Sequence, residues 1–379
     1  MFKRLLELSE KEEIRILGLM TGTSADGLDV AGVRFKGFDK YPEYEVYYSN
    51  FIPYPKEFSE PFKRPLELSA SDIADLDMKL GKWYGETISK LNTDFDVIAN
   101  HGQTLLHNAP NYTVQIGEAQ YIAVICGKPV ICDFRTPDLV LGGQGAPLIP
   151  VVDEFLLRES DNCVIALNMG GIANITFLPP RGSSKQTVAW DTGPANTLID
   201  KAVFDYTKGK SDFDRNGDFA RIGKLDTTLL KYLMDHPYIN KTIPKSAGQE
   251  QFGYEFYHEI KNKLNLANDI EWLSFIRTLT EFTIRSIEKD IRALISRENC
   301  PVKIIASGGG SENIYIMERL KEAFKDCVVE KFNKPDLNSD IKEAFGFAYL
   351  GYLFMRGLPG NMPSVTGSSR ETVLGKIVF

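Results

Sequence analysis

The alternation of apolar and polar positions lays out one pattern twice along the 379-residue chain. In the first half, runs at Ile14–Met20, Leu28–Phe35 and Tyr44–Phe51 predict three strands joined as an antiparallel meander. A tight turn of small residues, Thr21-Gly-Thr-Ser-Ala-Asp-Gly27, separates the first two. Ile73, Leu76, Leu80, Tyr84, Ile88 and Leu91 then recur close to helical spacing, and Ser69 with Asp72 forms a helix start signal. Asp96–Asn100 reads as a buried strand, Glu118–Cys126 as a helix closed by Gly127, and Pro129–Phe134 as another strand.

The second half repeats the opening. Strands are predicted at Cys163–Asn168, Ile172–Leu178 and Thr187–Trp190, with a glycine turn, Met169-Gly-Gly171, between the first two. A helix follows from about Pro194 to Tyr206, then a long helix near Trp272–Ser296 and a buried strand, Val302–Ser307. Gly308-Gly-Gly310 leads into a helix over Asn313–Phe324, and a last apolar helix covers Ile341–Met355. A loop, Gly357–Pro363, precedes a terminal strand or helix turn. The repeat is one of pattern, and it predicts a duplicated α/β unit. The expected division is an N-terminal domain over 1–135 and a C-terminal domain over 136–356, with a tail at 357–379 packing back on the first. The Gly- and Pro-rich stretch Arg135–Pro150 bridges the halves, which are expected to close around a cleft.

Composition narrows the function. A net charge of −7 argues against nucleic acid or an anionic membrane surface as the main partner, while leaving room for a local anion pocket of backbone N–H groups. No apolar run is long enough to span a bilayer, and Met1–Glu13 carries acids where a signal peptide needs an apolar stretch. Cys126, Cys132, Cys163, Cys300 and Cys327 are scattered and form no C-x-x-C pair, so they read as buried thiols in a reducing compartment, not staples or metal ligands. The expected location is the cytoplasm.

The candidate chemistry sits at the turns. Asp191 is predicted at a strand end, ahead of a Gly-Pro turn, facing a helix N-terminus where anions bind well. A carboxylate there suits a base working beside a phosphoryl group. In Gly22-Thr-Ser-Ala-Asp-Gly27 the glycines let backbone N–H groups approach a phosphate, Thr23 and Ser24 add hydroxyls, and Asp26 can hold Mg²⁺ through water. No lysine follows, so this is not a Walker motif, and a plain hairpin turn uses the same residues. Met169–Asn174, with Gly170 and Gly171, is the equivalent turn; the two together can grip a polyphosphate. Ser307-Gly-Gly-Gly-Ser311 (Gly308, Gly309, Gly310) offers bare backbone to a ring or a phosphate. His101-Gly-Gln-Thr104 follows a strand; His101 and His107 lack a third metal ligand, which leaves structural or sugar-contacting roles, with Gln103 and Thr104 as contacts. Asp133, Arg135 and Asp138 suit a polar ligand or an internal ion pair. Gly142–Pro147 reads as a hinge or cleft wall, and Asp340 and Glu343 share one face at the start of the last helix.

These segments in this order resemble the anhydro-N-acetylmuramic acid kinase family from near Ile14 onward: Gly18–Asp29, His101–Thr104, Asp133–Arg135, Gly142–Leu148, Leu167–Asn174, Asp191–Asp200, Gly308–Gly310 and Leu358–Gly367. The resemblance implies two duplicated ribonuclease-H-like domains of the actin-like ATPase class around a central ATP cleft. It implies a kinase that uses ATP and Mg²⁺ to phosphorylate O6 of a 1,6-anhydro sugar while water opens the bridge at C1. It further implies N-acetylmuramate 6-phosphate and ADP as products, in cell-wall recycling, and a homodimer. On the same ground Asp191 matches the base, Gly22 to Asp29 (with Ala25, Gly27 and Leu28) the nucleotide-phosphate turn, and Arg135 and Glu343 the sugar contacts. The chain departs from the family pattern at Ala25, Ala195, Ala247, Gln249 and the bulky run Leu139–Leu141, changes that bear on the sugar's substituents. Readings that stay open are a kinase of levoglucosan or another unsubstituted anhydro sugar, a nucleotide-binding module without catalysis, and a peptidoglycan-binding scaffold.

Overall fold

The computed structural model describes residues 2–22, 26–62, 64–334, 336–339 and 341–379, and only the backbone at positions 2 and 249. Thr23, Ser24, Ala25 and Asp340 therefore lie outside the described residues. The chain forms two compact units, Met1–Phe155 with Asn333–Phe379 and Leu156–Phe332.

Unit 1 is built on strands β1 (Glu13–Met20), β2 (Gly27–Lys36), β3 (Glu43–Pro53), β4 (Val97–Asn100) and β7 (Val130–Cys132), with a separate hairpin of β5 (Gln103–Asn108) and β6 (Tyr112–Ile116). The sheet runs β13-β7-β4-β1-β2-β3, where β13 is Lys376–Val378. The β1–β2–β3 meander is antiparallel, with Ile16 opposite Val33; β4 lies parallel to β1, with Leu17 opposite Ile98. Every residue of β4 is buried, as expected for a central parallel strand covered on both faces. The helix Ala70–Ile88 starts with a full capping box: the Ser69 hydroxyl accepts from the Asp72 N–H and the Asp72 carboxylate accepts from the Ser69 N–H. It buries Leu76, Leu80, Tyr84 and Ile88 against the sheet side that carries Leu17, Leu19, Leu28 and Val30.

Unit 2 repeats the plan with β8 (Cys163–Met169), β9 (Ile172–Leu178), β10 (Val188–Pro194), β11 (Val302–Ser307) and β12 (Val328–Lys331), in the order β10-β9-β8-β11-β12. Again the first three strands are antiparallel, with Leu167 opposite Ile175, and β11 is parallel to β8, with Ala166 opposite Ile305. Its core is capped by the long helix Asp269–Ile295, opened by an Asn268–Glu271 capping box. Both units thus carry the ribonuclease-H-like strand order, meander first and parallel strands after.

Three expectations need correction. The unit boundary does not fall at 135/136: residues 136–155 and the helix Lys342–Met355 belong to unit 1. That helix lies so close on the first sheet that a Cβ on Gly18 would strike the Ala344 carbonyl oxygen, and one on Gly351 would sit 2.8 Å from the Ala99 Cβ. Its apolar sequence shows burial but not which sheet covers it. Next, Cys163 and Cys300 are not free thiols but form a disulfide, with Cα atoms 5.8 Å apart. The parallel β8/β11 register, Cys163 opposite Val302, brings together residues 137 apart in sequence. Lastly, β10 does not stop at Trp190 but runs to Pro194 through a bulge between Asp191 and Gly193, so Asp191 lies within the strand.

Candidate functional site

In unit 2, Asp191 is locked to one distant segment. Its backbone N–H donates to the Lys245 carbonyl (3.0 Å), while its carboxylate Oδ2 accepts from the Ala247 N–H (2.8 Å) and the Ser246 hydroxyl (3.1 Å). The Tyr238 hydroxyl donates to the Asp191 carbonyl oxygen at 2.7 Å. These donors stand just ahead of the short helix Gln249–Phe252 and not at the start of the expected one: Thr197–Thr207 directs its N-cap and first N–H groups to carbonyls of the Gly170–Gly171 turn. Oδ1 accepts no hydrogen bond among the described residues. Burial raises the Asp191 carboxyl above its ordinary value, the Ala247 N–H and Ser246 hydroxyl oppose this, and nearby Glu250 adds to it.

The glycine turns of unit 2 converge around one asparagine. The Gly170 carbonyl accepts from the Asn196 N–H and the Gly171 carbonyl from the Ala195 and Thr197 N–H groups. The Asn196 side chain donates to the Met169 carbonyl at 3.0 Å. From β11, Gly308 takes φ +77° against Met169 and Asn168, where a Cβ would lie 2.6 Å from the Asn168 amide oxygen. Cβ atoms on Gly309 and Gly310 would each meet Asn196, the first at 3.6 Å and the second at 3.2 Å. Gly170, by contrast, has nothing among the described residues nearer than 3.9 Å to a Cβ placed on it. Gly170, Gly171 and Gly308–Gly310 therefore come together, and Asn196 joins them; its position just before an apolar helical run was the available signal.

In unit 1 the His101–Gln103 loop is stitched to the start of the first glycine turn. The His101 N–H donates to the Leu19 carbonyl (3.1 Å), the Thr21 hydroxyl to the Gly102 carbonyl (3.1 Å), and the Gln103 amide to the Gly22 carbonyl (3.3 Å). Gln103 is 2% exposed, and its Oε1 finds no partner among the described residues. Thr104 is half-buried and accepts from the Gln115 amide. Arg135 donates Nε–H to His101 Nε2 at 3.0 Å. Burial, then the guanidinium, holds that imidazole well below its usual range, so it stays a neutral acceptor. Burial lowers Arg135 to about 10 against the opposing pull of Glu343. Protein crowding raises the Glu343 carboxyl, although its side chain remains open to solvent, and Lys342 and Arg135 draw it down. Arg135, His101 and Glu343 thus form one electrostatic group.

Two expected ligand contacts have other work. Asp138 is fully buried: Oδ2 accepts from the Gly145 N–H, and Oδ1 from the Asn361 amide and the Thr366 hydroxyl. Its carboxylate ties the Gly142–Pro147 loop to the 361–368 segment and does not face a ligand; adjacent acids in a sequence do not reveal which one is enclosed. Leu28 is a fully buried core residue in the β2 ladder, opposite Ile52. Around it, Gly22 and Asp29 are half-buried and Asp26 is exposed; the Asp26 carbonyl accepts from the Tyr54 N–H. A Cβ on Gly27 would lie 2.6 Å from the Ile52 carbonyl oxygen. Asp133 pairs with Lys376 at 3.3 Å.

Two ribonuclease-H-like units with glycine turns at their strand ends define the actin-like ATPase class to which many sugar kinases belong. A sequence model of the anhydro-N-acetylmuramic acid kinase family matches residues 14–379. The chain is 36% identical to an anhydro-N-acetylmuramic acid kinase of Parasynechococcus marenigrum, covering 95% of this chain and 98% of that one. It is 35% identical to the enzyme of that name from Francisella tularensis subsp. novicida (96% and 98%) and 34% identical to that of Caldanaerobacter subterraneus subsp. tengcongensis (99% of each). The chain belongs to the anhydro-N-acetylmuramic acid kinase family and is an ATP-dependent sugar kinase. No helix among the described residues is long and apolar enough to cross a membrane.

Proposed function

We propose that the protein converts anhydro-N-acetylmuramic acid, water and ATP into N-acetylmuramate 6-phosphate and ADP. Asp191 takes a proton from water, and the water oxygen bonds to C1. The C1–O6 bond breaks with its electron pair going to O6, O6 attacks the γ-phosphorus, and the bond from the γ-phosphorus to the bridging β-phosphate oxygen breaks, that oxygen and the electron pair leaving on ADP. The observation that carries this reading is the Asp191 carboxylate: Oδ2 is fixed by two neutral donors, while Oδ1 is left to accept a proton. Burial lifts its proton affinity toward that of a working base.

The glycines at 22, 27, 170, 171 and 308–310, with Thr23–Asp26 and Asp29, contact the nucleotide. Gln103, Thr104, Arg135 and Glu343 contact the sugar, with the guanidinium suited to a carboxylate substituent. One exposed carboxylate fits Mg²⁺, which keeps much of its water, so Asp26 would hold the ion and Mg²⁺ would supply charge neutralisation on the phosphoryl group. The enzyme acts as a cytoplasmic homodimer on sugar released during cell-wall recycling. Turnover in ¹⁸O-enriched water tests the reaction: the expected product carries the label at C1, and label-free product would rule out water as the ring-opening nucleophile.

A further inference from the structure

Beneath Asp191 in unit 2 lies a buried ion pair that the reaction above does not use. The Lys245 ammonium sits 3.2 and 3.0 Å from the two carboxylate oxygens of Asp290, and both side chains are nearly inaccessible, at 2% and 6% exposure. Asp290 also accepts the indole N–H of Trp190 at 3.0 Å. Trp190 immediately precedes Asp191. Lys245 immediately precedes Ser246 and Ala247, the residues whose donors hold the Asp191 carboxylate. A single side chain of the helix Asp269–Ile295 therefore grips the strand that presents the carboxylate and the segment that supplies its donors.

We propose that Asp290 is a positioning residue for Asp191: by tethering Trp190 and Lys245 together it fixes the Ser246 and Ala247 hydrogen bonds, and through them the proton affinity of the base. The proposal rests on Asp191 being that base. A buried pair of this kind contributes little net stability compared with apolar replacements, so its value lies in what it arranges. The other charged and titratable groups facing this spot are Glu250, which raises the Asp191 carboxyl, the Tyr238 hydroxyl, and Lys289, which faces Asp290 from the same helix. No cation bonds the Asp191 carboxylate among the described residues. Its two donors are then the main influence holding it ionised, and loosening them raises its pKa.

The test compares wild type, Asp290→Asn, and the double variant Lys245→Met/Asp290→Leu, which removes both tethers without stranding a buried charge. Titration of the Asp191 carboxyl by ¹³C NMR, assigned by difference against Asp191→Asn, reads the base directly. The acid limb of kcat/KM reads its consequence. Both variants are expected to move the NMR midpoint and the acid limb upward by about one pH unit, with kcat falling about tenfold or more and KM for ATP changing less than about twofold. If Asp290→Asn does not fold, the double variant decides. An unmoved Asp191 midpoint in a folded variant, even with lowered thermal stability, overturns the positioning role and leaves the function of Asp191 standing. Near-normal turnover by Asp191→Asn overturns the base assignment itself, and the proposal with it.

Discussion

Arg135 in unit 1 and Asp191 in unit 2 carry opposite charges, and among the described residues the side-chain hydrogen bonds of both go to neutral groups, while Glu343 acts on Arg135 through its charge. Arg135 donates to an uncharged imidazole, and Asp191 accepts from a hydroxyl and a backbone N–H. Two buried ion pairs, Lys245 with Asp290 and Lys342 with Asp153, behave differently: each cation meets its carboxylate directly. A direct ion pair spends its field on its own partner and serves geometry. A charge held by neutral groups keeps its field for whatever arrives, which suits a sugar substituent at Arg135 and a reacting water at Asp191. The units differ in sign of charge and in reversibility, since Arg135 at about 10 stays a cation at neutral pH while Asp191 has to gain and release a proton.

The sharpest way to break this comparison is Asp191→Asn. It keeps a side chain of similar shape but cannot take a proton, so turnover should fall by about 10³-fold or more with ATP affinity close to wild type, measured by steady-state kinetics and calorimetry. Retained turnover would remove the distinction between the two sites. The unit 1 side is tested by His101→Phe, which deprives Arg135 of its acceptor. Sugar KM should rise about tenfold with a smaller change in kcat, and His101→Gln, which keeps an acceptor, should lie much nearer wild type. Equal effects of the two substitutions would mean that ring packing against Phe347, at 4.5 Å, matters more than the hydrogen bond.

The smallest expected effect concerns a second carboxyl of unit 2. Burial, then Asp212 and Asp214, lift Asp200 to about 7. Its folded value lies above its unfolded one, so the native state binds the extra proton. The stability linked to that proton is complete below about pH 4 and is lost as pH rises through about 7. Asp200→Asn should abolish that loss and raise Tm at pH 8 by about 1–2 °C, on the order of 1 kcal/mol after allowing for solvent access, with little change at pH 4. Parallel Tm curves for the two proteins from pH 4 to 8 would show that Asp200 does not titrate as described.

The meanders were legible because β1, β2, β8 and β9 alternate or run apolar over enough residues to separate period two from period 3.6. The β5–β6 hairpin was not, since its polar residues (Gln103, Thr104, His107, Asn108) break the apolar alternation that marks a strand. At the site, Asp191 and the glycine turns stand out locally, as does Arg135. The partners that govern them do not: Ser246 and Ala247 are 55 and 56 residues from Asp191, and Asp290 lies mid-helix, where an acid ordinarily faces water. The misreading of Asp138 has the same origin, because its enclosure depends on Asn361 and Thr366, more than 220 residues further on.

The interleaving of the two units imposes an order on synthesis. Unit 2 is one continuous stretch, so all of its strands have left the ribosome while unit 1 still lacks its covering helix Lys342–Met355 and its edge strand β13. Until those arrive, the faces of β1 and β4 that receive Gly351 and its neighbours, and the open rim of β7, are unprotected nascent surface. A translational pause near residue 340 would prolong that exposure, so that of these two units the one whose translation starts earlier is finished later.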